Sequence, residues 1–104
     1  MRMLLRVEMG LAATNELNRT GAADELNRQL MDSTKPEAAY FGTANGRRTG
    51  FLVFDMVDSA QIPVIAEPLF QNAKARVTMV PCMNFDDVQK GLSQLPADLT
   101  AAPA

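Results

Sequence analysis

The stretch EAAYFGTANGRRTGFLVFDM, residues 37–56, sets an Asn-Gly pair, Asn45 and Gly46, between two runs that carry aromatic and branched apolar residues. Asn-Gly suits the tight turn of a β-hairpin, because both turn residues need positive φ and these two tolerate it best. Two antiparallel strands are therefore expected side by side in mid-chain, joined across Ala44-Asn45-Gly46-Arg47-Arg48. In the second strand Leu52, Phe54 and Met56 alternate with Phe51, Val53 and Asp55, a period of two that sends the two sets to opposite faces of a sheet. Asp55 then points away from the face that Phe54 and Met56 bury.

Working outward, the first residues, MRMLLRVEM, alternate in the same way. Met3, Leu5, Val7 and Met9 fall on one side and Arg2, Leu4, Arg6 and Glu8 on the other. After Gly10 the run LAATNELNRTGAADELNRQLMDS is helical in pattern and repeats ELNR at 16–19 and 25–28. Nine residues at about 100° each would put Leu17 and Leu26 on opposite sides of one continuous helix. A break at Thr20-Gly21 resolves the conflict, with Thr20 as the expected cap of a second helix and Ala22, Ala23, Leu26, Leu30 and Met31 as its apolar stripe. Lys35-Pro36 ends it.

Beyond the hairpin, DSAQIPVIAEPLFQNA offers Asp58 or Ser59 as a cap and an Ile62, Ile65, Ala66, Leu69, Phe70 stripe at helical spacing. Pro63 falls in the first turn, and Pro68 is expected to bend or loosen the second half. KARVTMVP alternates again, with Ala75, Val77 and Met79 on one face and Arg76, Thr78 and Val80 on the other. Asn84 is expected to cap a short helix anchored by Phe85, Val88 and Leu92, with Asp86 and Asp87 in its first turn. The closing PADLTAAPA has no periodicity.

The element order is thus β-α-β-β-α-β with a terminal helix. That is the split βαβ, ferredoxin-like arrangement of the α+β class: a four-stranded antiparallel sheet with its helices on one face. The domain is expected over residues 1–93, with 94–104 a flexible tail. Right-handed crossovers put the helices on one side and leave the other sheet face open. The open face collects Leu4, Arg6, Glu8, Phe51, Val53, Asp55, Arg76, Thr78, Val80 and Tyr40. So mixed a face calls for a covering surface, and a second copy packed sheet to sheet would supply one.

Composition removes whole classes of function. At 104 residues and 47% apolar, the chain suits one globular domain with a modest core. A net charge of −2 gives no basic footprint for nucleic acid or an anionic membrane. Apolar runs are far short of a membrane span or a signal peptide, so a cytoplasmic location is expected. Without histidine, His-dependent triads and imidazole metal ligation are excluded, and one cysteine, Cys82, forms neither an internal disulfide nor a multi-cysteine metal site. No metal and no cofactor are expected.

The split order, the mixed open face, and the stretches KPEAAYF, GRRTGFLVFDMVDSAQIPVIAEPLF and VPCMNFDDV resemble the dimeric α+β barrel superfamily, which includes muconolactone isomerase and the antibiotic biosynthesis monooxygenases. They are similar in particular to small bacterial proteins of that group without an established activity. The resemblance implies a homodimer and a small, often aromatic or polyketide-like molecule held between helices and sheet. Two functions stay open: a non-catalytic small-molecule binder, or a cofactor-independent isomerase- or monooxygenase-like enzyme on an enolisable substrate. For the second, Asp55 and Glu67 are the candidate proton-transfer groups. The candidate ligand-binding residues are Arg6, Glu8, Tyr40, Phe51 and Arg76. Plainer roles compete: Asp55 in an ion pair with Arg6 or Arg76, Glu67 as a solvated helix residue, and Arg47 and Arg48 as solubilising turn residues or a weak anion site.

Overall fold

The computed structural model describes residues 1–100. The elements run β1 (Arg2–Glu8), α1 (Leu11–Thr20), α2 (Ala22–Thr34), β2 (Ala38–Ala44), β3 (Arg47–Asp55), α3 (Gln61–Ala73), β4 (Arg76–Pro81), α4 (Phe85–Leu92) and α5 (Ala97–Thr100). All strand pairs are antiparallel, in the order β2-β3-β1-β4. This α+β architecture is compatible with a ferredoxin-like domain. Of the stretch expected as a tail, residues 97–100 form the single turn of α5, and residues 101–104 lie outside the described residues.

The hairpin turns on two residues, Asn45 at φ 54° and Gly46 at φ 72°, the paired positive φ of a type I′ turn. Its registry follows: Tyr40 lies opposite Phe51 and Ala38 opposite Val53. Across β1, Leu5 faces Leu52 on one side and Met79 on the other. The alternation in each strand therefore sums into one apolar sheet face. Leu5, Val7, Leu52 and Phe54 are fully buried there, joined by Leu26 and Leu30 of α2 and Ile65, Leu69 and Ala73 of α3.

The helical run breaks at Gly21, which adopts φ 82° between α1 and α2, a left-handed conformation that costs glycine little. Both Leu17 and Leu26 thereby reach the core. Thr20 does not cap the second helix. It remains inside α1, its hydroxyl donating to the Glu16 carbonyl at 3.1 Å, and Gly21 takes the cap position without a side-chain bond. In the α2 stripe Leu26 and Leu30 are buried, whereas Ala22 and Met31 are exposed.

One further expectation is corrected at α3. Its cap is Ala60, because Asp58 closes a turn one step earlier, its carboxylate accepting the Ala60 N–H at 2.8 Å. The helix runs through Pro68 to Ala73. Of its stripe, Ile65, Ala66 and Leu69 are buried, while Ile62 and Phe70 stay exposed.

At α4 Asn84 is the cap, as expected, and the structure adds a capping box: Asn84 Oδ1 accepts the Asp87 N–H at 2.8 Å, and Asp87 Oδ2 accepts the Asn84 N–H at 3.1 Å. Arg2 ties this end to the sheet, donating from Nη1 to Asp87 at 2.9 Å and from Nε to Glu37 at 2.7 Å. The helix's stripe does not anchor it within the chain, since Phe85 is 72% and Leu92 53% exposed.

The placement of Phe54 at the centre of the core has a direct check. Phe54→Ala should lower the unfolding free energy by about 3–5 kcal/mol, the usual cost of emptying a buried phenylalanine site. Val57→Ala, at an exposed position, should change it by less than about 0.5 kcal/mol. Equal effects in urea titrations would contradict this core.

Candidate functional site

Strand registry lays the open face out as cross-strand rows. Ala38, Val53, Leu4 and Val80 form one row, and Tyr40, Phe51, Arg6 and Thr78 the next. A third runs Gly42, Thr49, Glu8 and Arg76. Every residue expected on this face lies on it, and Tyr40 is 73% exposed.

Glu8 and its cross-strand neighbour Thr49 are the buried pair of this face. Although Glu8 lies on the uncovered face, it is only 1% exposed. Asn45, the left-handed turn residue, donates from Nδ2 to Glu8 Oε1 at 2.5 Å. The other oxygen, Oε2, has Arg6 Nε at 3.7 Å, beyond hydrogen-bond reach, and accepts no hydrogen bond among the described residues. The Asn45 bond is the main force holding the carboxyl below its usual range. The charges of Arg6, Arg76 and Arg47 add to it, against burial, which pushes the other way. Glu8 is therefore an ionised acceptor with an unused oxygen. A general base working near neutrality needs the opposite shift.

Asp55 does not pair with Arg6 or Arg76. Registry puts it opposite Arg2, four residues along β1 from Arg6, or about 13 Å at strand rise. Its carboxylate instead accepts from the Met1 ammonium at 2.7 Å and stays 75% exposed. Arg6 sits beside Glu8 instead. Glu67 is exposed on α3, where it accepts from Gln71 at 3.4 Å, and borders a groove against Val77 and Met79 of β4. Asp55 and Glu67 thus stand on different parts of the molecule, and neither converges with Arg6, Glu8, Tyr40, Phe51 and Arg76.

A separate cleft of about 480 Å³ opens on the helix side of the sheet, between α1–α2 and the β2–β3 hairpin. Leu17, Leu26, Met9 and Phe41 make its apolar walls, and Arg48 lines it with Thr14 and Asn18. It exists because Gly21 turns the helical run: the corner between Leu17 and Leu26 spans the hairpin without filling the space above it. A Cβ at Gly50 would come within 3.2 Å of Phe41 Cε1 and 3.4 Å of Leu52 Cδ1. Glycine there lets the Phe41 ring lie against β3.

Strand alternation also separates the arginine pair. Arg47 belongs to the Glu8 surroundings, whereas Arg48 turns to the helix side, donating from Nη1 to Thr14 Oγ1 at 2.7 Å and from Nη2 to Asn15 Oδ1 at 2.9 Å. The parity of TGFLVFDM, carried back two residues, contains that signal. The cleft itself is drawn from helices and strands far apart in sequence, and no local pattern marks it.

Among the described residues no group of three or more His, Cys, Asp or Glu side chains is arranged to hold a metal ion, and no helix is long and apolar enough to cross a membrane. The chain matches no protein-family model, and no curated protein is significantly similar to it in sequence.

Because the folded-state pKa of Glu8 is depressed, the stability it contributes is full above the ordinary carboxylate range and is lost as pH falls through that range toward the lowered value. Glu25, held down chiefly by its hydrogen bond from Arg28, loses stability in the same window, so the informative comparison is between variants. Glu8→Gln should show a smaller drop in melting temperature from pH 7 to pH 3 than the unsubstituted protein. Parallel pH profiles would contradict the ionised, buried Glu8.

Proposed function

We propose that the protein is a small-molecule binder that holds an apolar or aromatic molecule in the cleft between α1–α2 and the β2–β3 hairpin, and that it works as a homodimer of the α+β barrel kind. The observation that carries the binding reading is the cleft itself. Its volume of about 480 Å³ lies within the usual range for small-molecule sites, and apolar walls with a few polar groups are their usual lining. The candidate carboxylates Asp55 and Glu67 stand outside it, which favours binding over proton-transfer catalysis.

Two observations support the dimer. The open face carries Tyr40, Val80, Phe51, Leu4 and Val53 around a buried carboxylate whose second oxygen lacks a donor. In addition, α4 presents Phe85 and Leu92 to solvent along one stripe. A four-stranded sheet is about 20 Å wide and seven residues run about 23 Å, so the face alone offers on the order of 450 Å² in plan. A standard interface buries about 800 Å² per partner. The α4 stripe supplies apolar area toward the difference, and sheet pairing leaves the helix-side cleft free.

Light scattering at micromolar concentration should give the mass of two chains, and Val80→Asp, a charge at the edge of the face, should give the mass of one. The uncharged dye N-phenyl-1-naphthylamine should brighten saturably with the protein, and Ala23→Phe, which fills the cleft, should weaken its binding at least about ten-fold. A single-chain mass for the unsubstituted protein would refute the dimer. Dye binding that survives Ala23→Phe would refute the cleft as the binding site.

A further inference from the structure

Arg48 gives the cleft a charge preference. Its guanidinium donates to two neutral oxygens, Thr14 Oγ1 and Asn15 Oδ1, which use two of its five N–H donors. None of the salt bridges among the described residues includes it. Its neighbours hold it in place without neutralising it. Thr14 is buried, and its hydroxyl proton is committed to the Gly10 carbonyl at 2.8 Å, so the oxygen that accepts from Arg48 is fixed in orientation. The arginine is thus tethered from α1 while rooted on β3, across one side of the cleft.

The rest of the lining sharpens the point. No aspartate or glutamate lines this cleft. Four other surface clefts, of about 380–460 Å³, each include carboxylates: Asp32 in one, Glu67 in another, Glu37 in a third, and Glu37, Asp55 and Asp87 together in the fourth. In a chain whose net charge is −2, a cavity with an un-neutralised cation and no anion departs from the overall balance. Arg48 itself is exposed, so solvent and salt screen its charge, and the preference rests on the absence of a competing carboxylate and on the fixed guanidinium.

We infer that the cleft takes an amphipathic organic anion: an aromatic or aliphatic body against Phe41, Leu17 and Leu26, and a carboxylate or similar planar anionic group on Arg48. Guanidinium suits that partner, because its remaining N–H groups lie in one plane and can meet two oxygens side by side. Asn18 and Asn27, also in the lining, offer amide groups to further polar atoms of the ligand. This inference rests on the cleft being a binding site, and it adds the chemical class of the ligand and the residue that selects it.

A matched pair of probes separates the two statements. 1-Naphthoate and 1-naphthamide share a ring system and differ in charge, and both can be titrated into 15N-labelled protein while amide shifts are followed. Naphthoate should move the Thr14, Asn18, Arg48 and Gly50 amides saturably and bind at least about ten-fold more tightly than the amide, equivalent to about 1.4 kcal/mol. Arg48→Gln should bring the two affinities together, while Arg48→Lys, which keeps the charge, should retain part of the preference. Unchanged dispersion of the remaining resonances shows that each variant is folded. Equal binding of both probes to the unsubstituted protein would overturn anion selection and leave the apolar site standing. A naphthoate preference that survives Arg48→Gln, or shifts confined to Arg6 and Arg76 on the open face, would overturn the role of Arg48. Binding of neither probe would overturn both the cleft and its selectivity.

Discussion

Leu5 lies between Leu52 of β3 and Met79 of β4, fully buried, and the registry it marks is the constraint on which the rest of the molecule depends. A strand has a side-chain period of two, so sliding β1 by one residue would put Arg2, Leu4, Arg6 and Glu8 under the helices and Leu5 and Val7 in water. Nothing under the helices could neutralise two arginines and a glutamate at a tolerable cost. The alternation of MRMLLRVEM therefore selects one registry. With it come the apolar face that receives Leu26, Leu30, Ile65 and Leu69, and the mixed face opposite.

Each face then has its own unmet demand. On the helix side the run turns at Gly21, and the corner leaves a cleft between the helices and the hairpin. On the open side Glu8 is buried without a full set of donors, in an arrangement held by Asn45 of the hairpin turn. One element thus serves both faces. Its turn places Asn45 over Glu8, and its strand sends Arg47 toward the carboxylate and Arg48 to the cleft.

Patterns confined to one element were legible in the sequence. Alternation in β1, β3 and β4 assigned the open-face residues of those three strands to their face, Asn-Gly located the hairpin, and the half-turn conflict between Leu17 and Leu26 exposed the break at Gly21. Features that depend on how elements meet were not. The ion partner of Asp55 was misread because faces can be assigned without registry, whereas a cross-strand neighbour cannot: Asp55 and Arg6 share a face but stand at different rows. The caps at Thr20 and Ser59 or Asp58 failed because side-chain bonds to nearby backbone groups shift by a residue at little cost. The α4 stripe was read correctly as amphipathic and wrongly as anchored, since periodicity identifies an apolar side without identifying what covers it. The cleft, assembled from four elements, had no linear trace beyond the parity of Arg48.

The proposed dimer makes the open sheet face an interface between two copies of this chain and leaves the helix-side cleft to ligand. The most direct measurement is an isotope-filtered NOE experiment on protein mixed from labelled and unlabelled chains, which reports contacts between subunits alone. Cross-subunit signals from the side chains of Tyr40, Phe51, Leu4 and Val80 are expected. Intersubunit signals confined to α1, α2 and α3, with none from these four residues, would contradict the account.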